Sequence, residues 1–574
     1  MHAIDWAVML TTLLGIVLYG VWNTRKIKTT KSYLHGDNDL PWWTIGLSIM
    51  ATQASAITFL STPGQAYSDG MRFAQFYFGL PVAMVLLAVF VLPLYYRLKV
   101  YTAYEFLEGR FDLRTRQLTA ILFLIQRGLA AGITIYAPAI ILSTILGWSL
   151  ALTTLFIGIV VIFYTVLGGT KAVSVTQKQQ MIVILAGMVI AAIILLKQLP
   201  AGVGFGDSLN LAGKMGKLNV VDFKFDWNNK YNFWSGMLGG VFLFLSYFGT
   251  DQSQVQRYLS GKSLSESRLG LLFNGIIKVP MQVLVLFVGV LVFVFFQFNQ
   301  APIHFNTANL GVIKGTPSEV PFREIQKQYD DLFTTQKAES FNLINAAKQK
   351  NEGAIAASKE KLLTLEQKEK ALRSEVNALI LKEDPTIKIK DNDYVFITFI
   401  TTYLPIGLVG LLLAVIFSAA MSSTASELSA LASTTVVDLY KRSWVTNRDD
   451  RHYLWVSKWF TFLWGLIALL FAALANLSDN LIELVNIVGS LFYGVILGVF
   501  MIAFFLRHVK GDAAFFSALI SEVIVLVIFF LKTQGTFSIA YLWLNMIGCL
   551  LTMAIALLLQ AILRPPASVG MLEE

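Results

Sequence analysis

The sequence predicts an all-α polytopic membrane protein of about thirteen transmembrane helices, interrupted once by a soluble helical insertion. Three observations carry this. Of the 574 residues, 56% are hydrophobic and only 14% charged, against roughly 25% charged in soluble domains. Apolar windows of about 20 residues, each long enough to cross roughly 30 Å of hydrocarbon, recur along nearly the whole chain. The Lys and Arg residues behind the net charge of +9 gather in alternate loops. That is the pattern of cytoplasmic loops, and it excludes the continuous basic face of a nucleic-acid binder.

In order, the windows are Ile4–Trp22, Trp43–Ala66, Phe73–Tyr96, Leu118–Leu142, Leu150–Leu167, Met181–Leu199, Phe233–Gln254, Leu269–Phe298, Pro405–Val437, Leu454–Ala475, Leu481–Leu506, Ala513–Leu531 and Phe537–Leu563. The basic clusters are Arg25/Lys26/Lys28/Lys31, Arg97/Lys99/Arg110/Arg114/Arg116, Lys171/Lys178, Arg257/Lys262/Arg268, Lys441/Arg442/Arg448/Arg451 and Arg507/Lys510. They place the N-terminus outside and the C-terminus in the cytoplasm, as an odd number of spans requires. The start, MHAIDW, lacks a basic leader and carries Asp5, so the first window is expected to be a retained helix. The single cysteine, Cys549, excludes an internal disulfide.

Two regions break the membrane pattern. Residues 200–231 form a polar loop, and residues 299–393 form a charged insertion with no segment able to cross a bilayer. Within the insertion, Glu319–Gln349 and Ala354–Lys382 have helical periodicity, separated by Asn351-Glu352-Gly353. Leu365, Leu372 and Leu379 recur every seven residues, with Leu362 and Val376 beside them, as in a short coiled-coil seam. An outward-facing helical hairpin is expected, either a protein-partner or lid element or a tolerated surface insertion.

Two spans carry polar weak points. The second contains Ala51-Thr52-Gln53-Ala54-Ser55-Ala56 in the middle of its apolar run. A membrane helix can loosen only where it lines a cavity or holds a ligand, because no water is present to satisfy its amides. In the ninth span Ala419, Ser422 and Ser423 stand at i, i+3 and i+4, on one helix face. With carbonyls of Ala51 and Ala54 freed by unwinding, about five neutral oxygens would converge, a cage suited to a small hard monovalent cation. The same Ser and Ala stripes also serve close helix packing.

The strings GLSIMATQASAITFLSTPGQAY, YTAYEFLEGRFD, IYAPAIIL, YTVLGGTKAV, QVQRYLSGKSLSE and SAAMSSTASELSALASTTVVDLY, in this order, resemble the sodium:solute symporter family. The resemblance covers nearly the whole chain except the insertion and the extreme ends. It implies the leucine-transporter fold, with spans two to six and seven to eleven forming two inverted five-helix repeats around discontinuous helices. The division it implies is 1–42 for the first helix and a cytoplasmic loop, 43–298 for the first repeat and the start of the second, 299–393 for the extracytoplasmic insertion, 394–511 for the rest of the second repeat, and 512–574 for two final helices and a tail.

Carried over by position, the family's common sodium site falls on Ala51, Ala54, Ala419, Ser422 and Ser423, the residues the oxygen count had already selected. The further sodium of some members uses an Asp where this chain has Gln177 and a serine where it has Ala425; Ser426 is retained. One Na+ per cycle is therefore expected, with Glu427 leaving room for a rearranged second site. Tyr247 matches a tyrosine that closes the cavity from inside in sugar carriers, and is otherwise a core tyrosine. Sugar-contact positions differ, at Ile57-Thr58, Tyr77 and Phe244, while Lys278 keeps the family's lysine.

Arg127 and Lys278 lie about nine and ten residues into their spans, roughly 13–15 Å deep at 1.5 Å per residue. Charges at that depth usually face the bundle interior and are functional or paired. Arg127 either grips an anionic solute through a two-pronged contact or pairs internally with Glu427 or Asp251, and Lys278 either joins it or snorkels to the cytoplasmic face. Gln53, Ser55, Thr58, Gln65, Tyr77 and Gln252 complete the candidate cavity lining. IYAPAIIL and QVQRYLSGKS resemble most the family branch that carries monocarboxylates, vitamins and halide-like anions.

The resulting expectation is a multi-pass protein of a bacterial-type inner (plasma) membrane that couples Na+ flow to uptake of a small organic solute, anionic in charge, such as a monocarboxylate, a sialic acid or a vitamin. Its partners are then sodium, the solute and the bilayer, with no nucleic acid. A sugar or other neutral solute, or proton coupling, are the alternatives. An enzyme would need paired carboxylates or a His cluster, and none of the five His is placed with an acidic partner in a span. A sensor would need a signalling module beyond Glu574.

Overall fold

The computed structural model describes residues 2–24, 33, 40–387, 389–474 and 480–563. The basic group Arg25/Lys26/Lys28/Lys31 lies outside them. Among the described residues helix is the only regular structure besides one isolated bridge between Leu40 and Gly261. Helix α1 (Ala3–Thr24) is followed by a second span divided into α2 (Trp42–Gln53) and α3 (Ala56–Asp69). A 3-10 stretch at Gly70–Tyr77, α4 (Gly79–Leu86), a π turn and α5 (Leu92–Leu98) make the third. Short α6 (Glu105–Arg110) leads into α7 (Leu113–Leu146), whose ends follow local chemistry. Asp112 accepts from the Thr115 amide at 2.8 Å, and Gly147 takes the left-handed conformation (φ 67°) that stops the helix.

The expected spans at Leu150–Leu167 and Met181–Leu199 run on in one helix, α8 (Leu150–Lys197), instead of being parted by a loop at Lys171. After α9 (Phe205–Lys214) the seventh span is also divided, into α10 (Gly240–Gly249) and α11 (Gln252–Leu259). Asp251 caps α11, accepting from the Ser253 amide and hydroxyl at 2.9 and 2.7 Å. Then come α12 (Leu264–Phe298), the hairpin α13 (Glu319–Lys348) and α14 (Glu352–Glu383), α15 (Val395–Tyr403), α16 (Leu408–Thr434), α17 (Asp450–Leu474), α18 (Leu481–Phe505), α19 (Gly511–Thr533) and α20 (Leu542–Ile562). Ten helical stretches among the described residues are long and apolar enough to cross a bilayer. The larger expected number counts α1, α2 and the α10 region as further spans; breaks in the second and seventh spans leave α2 and α10 too short to qualify alone.

Helix α16 is buried on all sides through Ser422–Thr434 and packs on α1, α7 and α8, while α12 lies along both α2 and α3. Gly289 of α12 fits directly against the Pro63 carbonyl, where an added Cβ would stand 2.3 Å away. Small residues at such contacts let membrane helices approach closely.

The hairpin has the expected form. Asn351 caps α14 through the Ala354 amide at 3.1 Å, and Leu362, Leu372 and Val376 of the seam are buried, with Leu365 and Leu379 partly so. The middle of α14 is linked to α3 through Lys217, which donates to the Ser68 carbonyl at 2.7 Å and lies 3.7 Å from Glu366. Burial pushes the Lys217 ammonium below its usual range, and Glu366 opposes that shift.

Candidate functional site

The break in the second span falls inside the polar run of the sequence. Ala54 (φ −84°, ψ 76°) and Ser55 (φ −77°, ψ 174°) leave helical geometry. In an unbroken helix the Ala51 carbonyl would accept from the Ser55 amide, and the Ala54 carbonyl from Thr58. Instead the Ser55 amide donates to Gln53 at 3.1 Å and the Thr58 amide to Ser55 at 3.0 Å. Both carbonyls thereby lose their helical donors. Helix α16 packs against both halves of the broken span. On it, the Ser423 hydroxyl donates to the Ala419 and Ala420 carbonyls at 2.9 and 3.2 Å, leaving its lone pairs free, and the buried Ser422 hydroxyl has no hydrogen-bond partner. No group of three or more His, Cys, Asp or Glu side chains able to hold a metal occurs among the described residues.

One turn away, Gln177 ties these helices together through a neutral amide. Its Oε1 accepts from Ser48 at 2.5 Å, and its Nε2 donates to Thr52 at 3.1 Å and Ser426 at 3.0 Å. Thr52 and Ser426 themselves lie 3.3 Å apart. Two amide hydrogens therefore occupy the space beside Ser426.

The buried arginine is paired on both sides. Arg127 of α7 donates to Glu427 of α16 at 3.1 Å, to Asp251 at the second break, and to the Tyr493 hydroxyl of α18 at 2.6 Å. Tyr493 in turn donates to Asp251 at 3.1 Å, and the guanidinium lies 5.3 Å from the centre of the Tyr247 ring. The three charged residues are 3%, 1% and 6% exposed for Arg127, Asp251 and Glu427. Both alternatives for an internal pair are thus occupied at once, and with both carboxyls ionised the cluster carries one net negative charge. Arg127 Nε and Glu427 Oε2 have no partner.

This cluster forms one wall of a cavity of about 80 Å³ beside the break. Of the expected lining, Gln53, Ser55, Thr58, Tyr77, Arg127 and Tyr247 reach it. Gln65, Gln252 and Lys278 do not. Gln65 bonds Asp69 at the far end of α3, and Gln252 holds the Ala103 amide and Tyr101 carbonyl at 3.2 and 3.1 Å. Lys278 lies behind the wall, fully buried, with Nζ 6.0 Å from the Tyr77 ring centre and no hydrogen-bond partner. Sequence depth placed Lys278 correctly along its helix, but α12 turns it away from the cavity. Tyr493, Asn486 and Thr134 line the cavity without having been selected. The available signal for Tyr493 was a hydroxyl within the apolar run LFYGVILG.

A model of the sodium:solute symporter family matches residues 33–314 and 378–521 and passes over most of the hairpin. The sodium-coupled monocarboxylate transporter 2 of Mus musculus is 25% identical over 87% of this chain and 67% of its own length. The sodium/iodide cotransporter of Homo sapiens is 34% identical over 47% of this chain, and the match covers 41% of that protein. Among solved structures, a Na+-coupled sialic acid symporter in a substrate-bound outward-open state superposes with a TM-score of 0.74 at 20% identity. The match covers 99% of this chain and 100% of that one, so the two share the fold. With the matched segments spanning well over half of its residues, the chain belongs to the sodium:solute symporter family.

Proposed function

We propose that this protein is a sodium-coupled symporter that imports a small carboxylate-bearing solute by alternating access. The observation that carries the reading is the pair of carbonyls, Ala51 and Ala54, stripped of helical donors beside the unpartnered Ser422 hydroxyl. Neutral oxygens of this kind suit Na+, and the cage is completed by Ala419 and Ser423. Sodium there ties the broken second span to α16 and biases the cycle by its differential affinity for the two states. The Gln177 amide, already bonded to Thr52 and Ser426, supports a stoichiometry of one sodium.

The relatives named for monocarboxylates and iodide support an anionic cargo, and the Arg127 guanidinium, paired with Asp251 and Glu427, lines the cavity. At about 80 Å³ the cavity is small, which favours a small monocarboxylate over a sialic acid or vitamin. The charge pattern of the loops supports an orientation with the hairpin outside. Ser423→Ala removes one cage oxygen and is expected to raise the sodium concentration for half-maximal uptake about tenfold or more, measured in proteoliposomes. Unchanged sodium dependence would refute the assignment. A proton-coupled reading is favoured by the buried carboxyls Asp251 and Glu427, and predicts uptake driven by a pH gradient without sodium.

A further inference from the structure

A second cavity, of about 250 Å³ against about 80 Å³ for the central one, lies where the hairpin meets the C-terminal ends of α3 and α12. The family match passes over residues 315–377, which supply Gln336, Glu366, Glu369, Lys370 and Arg373 to its wall, so the insertion builds it. Two lining amides are only half used. Gln336 Nε2 donates to Gln297 Oε1 at 3.0 Å, and the Ser340 hydroxyl reaches the same oxygen at 3.5 Å. Gln336 Oε1 and Gln297 Nε2 make no further hydrogen bond among the described residues, although the two residues are 7% and 4% exposed. Buried amides are normally satisfied, so the cavity calls for a polar occupant. Its charges decide the sign. Arg373 is held by Glu369 at 3.0 Å, and Glu366 faces both Lys370 at 3.0 Å and Lys217 at 3.7 Å, so the lining cations are taken. Asp391 and the exposed Asp69 also line the cavity, and no Lys or Arg among the described residues lies within 4.0 Å of either. The Ser68 hydroxyl, donating to Asn392 Oδ1 at 3.1 Å, brings their two chain segments together. His304 stands 3.7 Å from Asp391 but brings no charge: its Nδ1 accepts from the Asn306 amide at 3.1 Å, and its Nε2 carries the proton toward the Ile389 carbonyl at 3.1 Å.

We propose that this cavity is a binding site for a small organic cation carrying a primary ammonium. Its N–H groups donate to Asp391, Asp69 and Gln336 Oε1, and its carbon chain lies on Tyr67, Phe293 and Phe305. Two of the protein's own cations already use this aromatic wall, Lys217 Nζ at 4.6 Å from the Phe293 ring centre and the Arg373 guanidinium at 5.1 Å from that of Phe305. An apolar cavity of about 150 Å³ accepts benzene, so a chain of about six heavy atoms fits here. A bare metal ion would leave most of the volume and the aromatic wall unused. Helix α3 runs from Thr58 in the central cavity to Asp69 in this one, so the occupant ties the hairpin to the broken span.

The test uses the purified full-length chain in detergent at fixed sodium, titrated by calorimetry with butylammonium, putrescine, tetramethylammonium and magnesium. Butylammonium or putrescine, or both, should bind at least about tenfold more tightly than tetramethylammonium, which has the charge but no N–H to donate. In the double variant Asp69→Asn, Asp391→Asn, which keeps an acceptor for the Phe305 amide, that affinity should fall about tenfold or more. Glu375→Gln, at an exposed carboxylate of α14 outside the cavity, should leave it within about twofold. Tetramethylammonium binding as tightly as the amines, an affinity unmoved by the double variant, or magnesium binding more tightly than either amine would overturn the inference. So would the absence of binding by both amines at millimolar concentration. Should the double variant fail to fold, Asp69→Asn alone and the ligand series on the unaltered protein decide.

Discussion

Replacing Arg127 by alanine should be among the most damaging single changes to this protein. The guanidinium is the cation held by both Asp251 and Glu427, and it also donates to Tyr493. With exposures of 1% and 6%, neither carboxylate can turn to water. Breaking a buried pair by removing one partner typically costs about 3–5 kcal/mol, because the remaining charge is left uncompensated. Here two like charges would remain, so the loss belongs at or above the upper end of that range. Replacing all three together, as Arg127→Met, Asp251→Asn and Glu427→Gln, removes the charges with the cation and should recover much of the stability. Glu427→Gln alone should cost far less than Arg127→Ala, since it brings the cluster from one net negative charge to neutrality. The assay is thermal unfolding in a fixed detergent, supported by the fraction eluting as a single species. If Arg127→Ala melts with the unaltered protein, or the triple variant melts no higher than Arg127→Ala, the electrostatic account of this cluster is wrong.

Gln177→Leu should lower the melting temperature, since it strands the buried Ser48 hydroxyl and removes the donors to Thr52 and Ser426, at about 1–3 kcal/mol for a stranded buried group; a neutral effect would refute the clamp. Gly64→Ala should destabilise strongly, because its Cβ would stand 2.0 Å from the Asn392 carbonyl, whereas Gly15→Ala, with nothing within 4 Å, should leave thermal unfolding unchanged or slightly improved. Glu108 accepts from Arg442 at 2.8 and 2.5 Å and from Arg116 at 2.7 Å, and the Arg442 bond holds its carboxyl below the usual range. A depressed folded value means that its stabilisation is present above the ordinary glutamate range and lost as pH falls through the folded value. The melting temperature should therefore fall more steeply from about pH 5 to about pH 3 in the unaltered chain than in Glu108→Gln; parallel profiles would exclude this linkage.

Much of the architecture was legible because membrane and hairpin helices announce themselves locally. The helices α13 and α14 begin and end within a few residues of their periodic stretches, and Asn351 was visible as the breaker between them. The discontinuity at Ala54–Ser55 was legible for the same reason, as a polar run of small residues within an apolar one. The second discontinuity, at Thr250–Asp251, was not, since Gly249-Thr250-Asp251 closes an apolar window and reads equally as the start of a loop. Both spans within α8 were legible as apolar windows, while the helical backbone joining them was not, because Lys171 and the two glycines before it look like a loop.

The sequence by itself determined that the chain is a helical membrane protein, that its second span is weakened at Ala51–Ala56, and that the serines of α16 share one face. These follow from composition and helical period, which neighbouring residues decide among themselves. Only the tertiary structure decided which buried charges meet. Arg127, Asp251, Glu427 and Tyr493 lie on α7, at the α10–α11 break, and on α16 and α18, and no local rule brings them together. Likewise, depth along α12 follows from counting residues, but the rotation that sends Lys278 behind Tyr77 is set by packing against α2 and α3. Helical period fixes which residues share a face, whereas the partner of that face is chosen by the whole bundle.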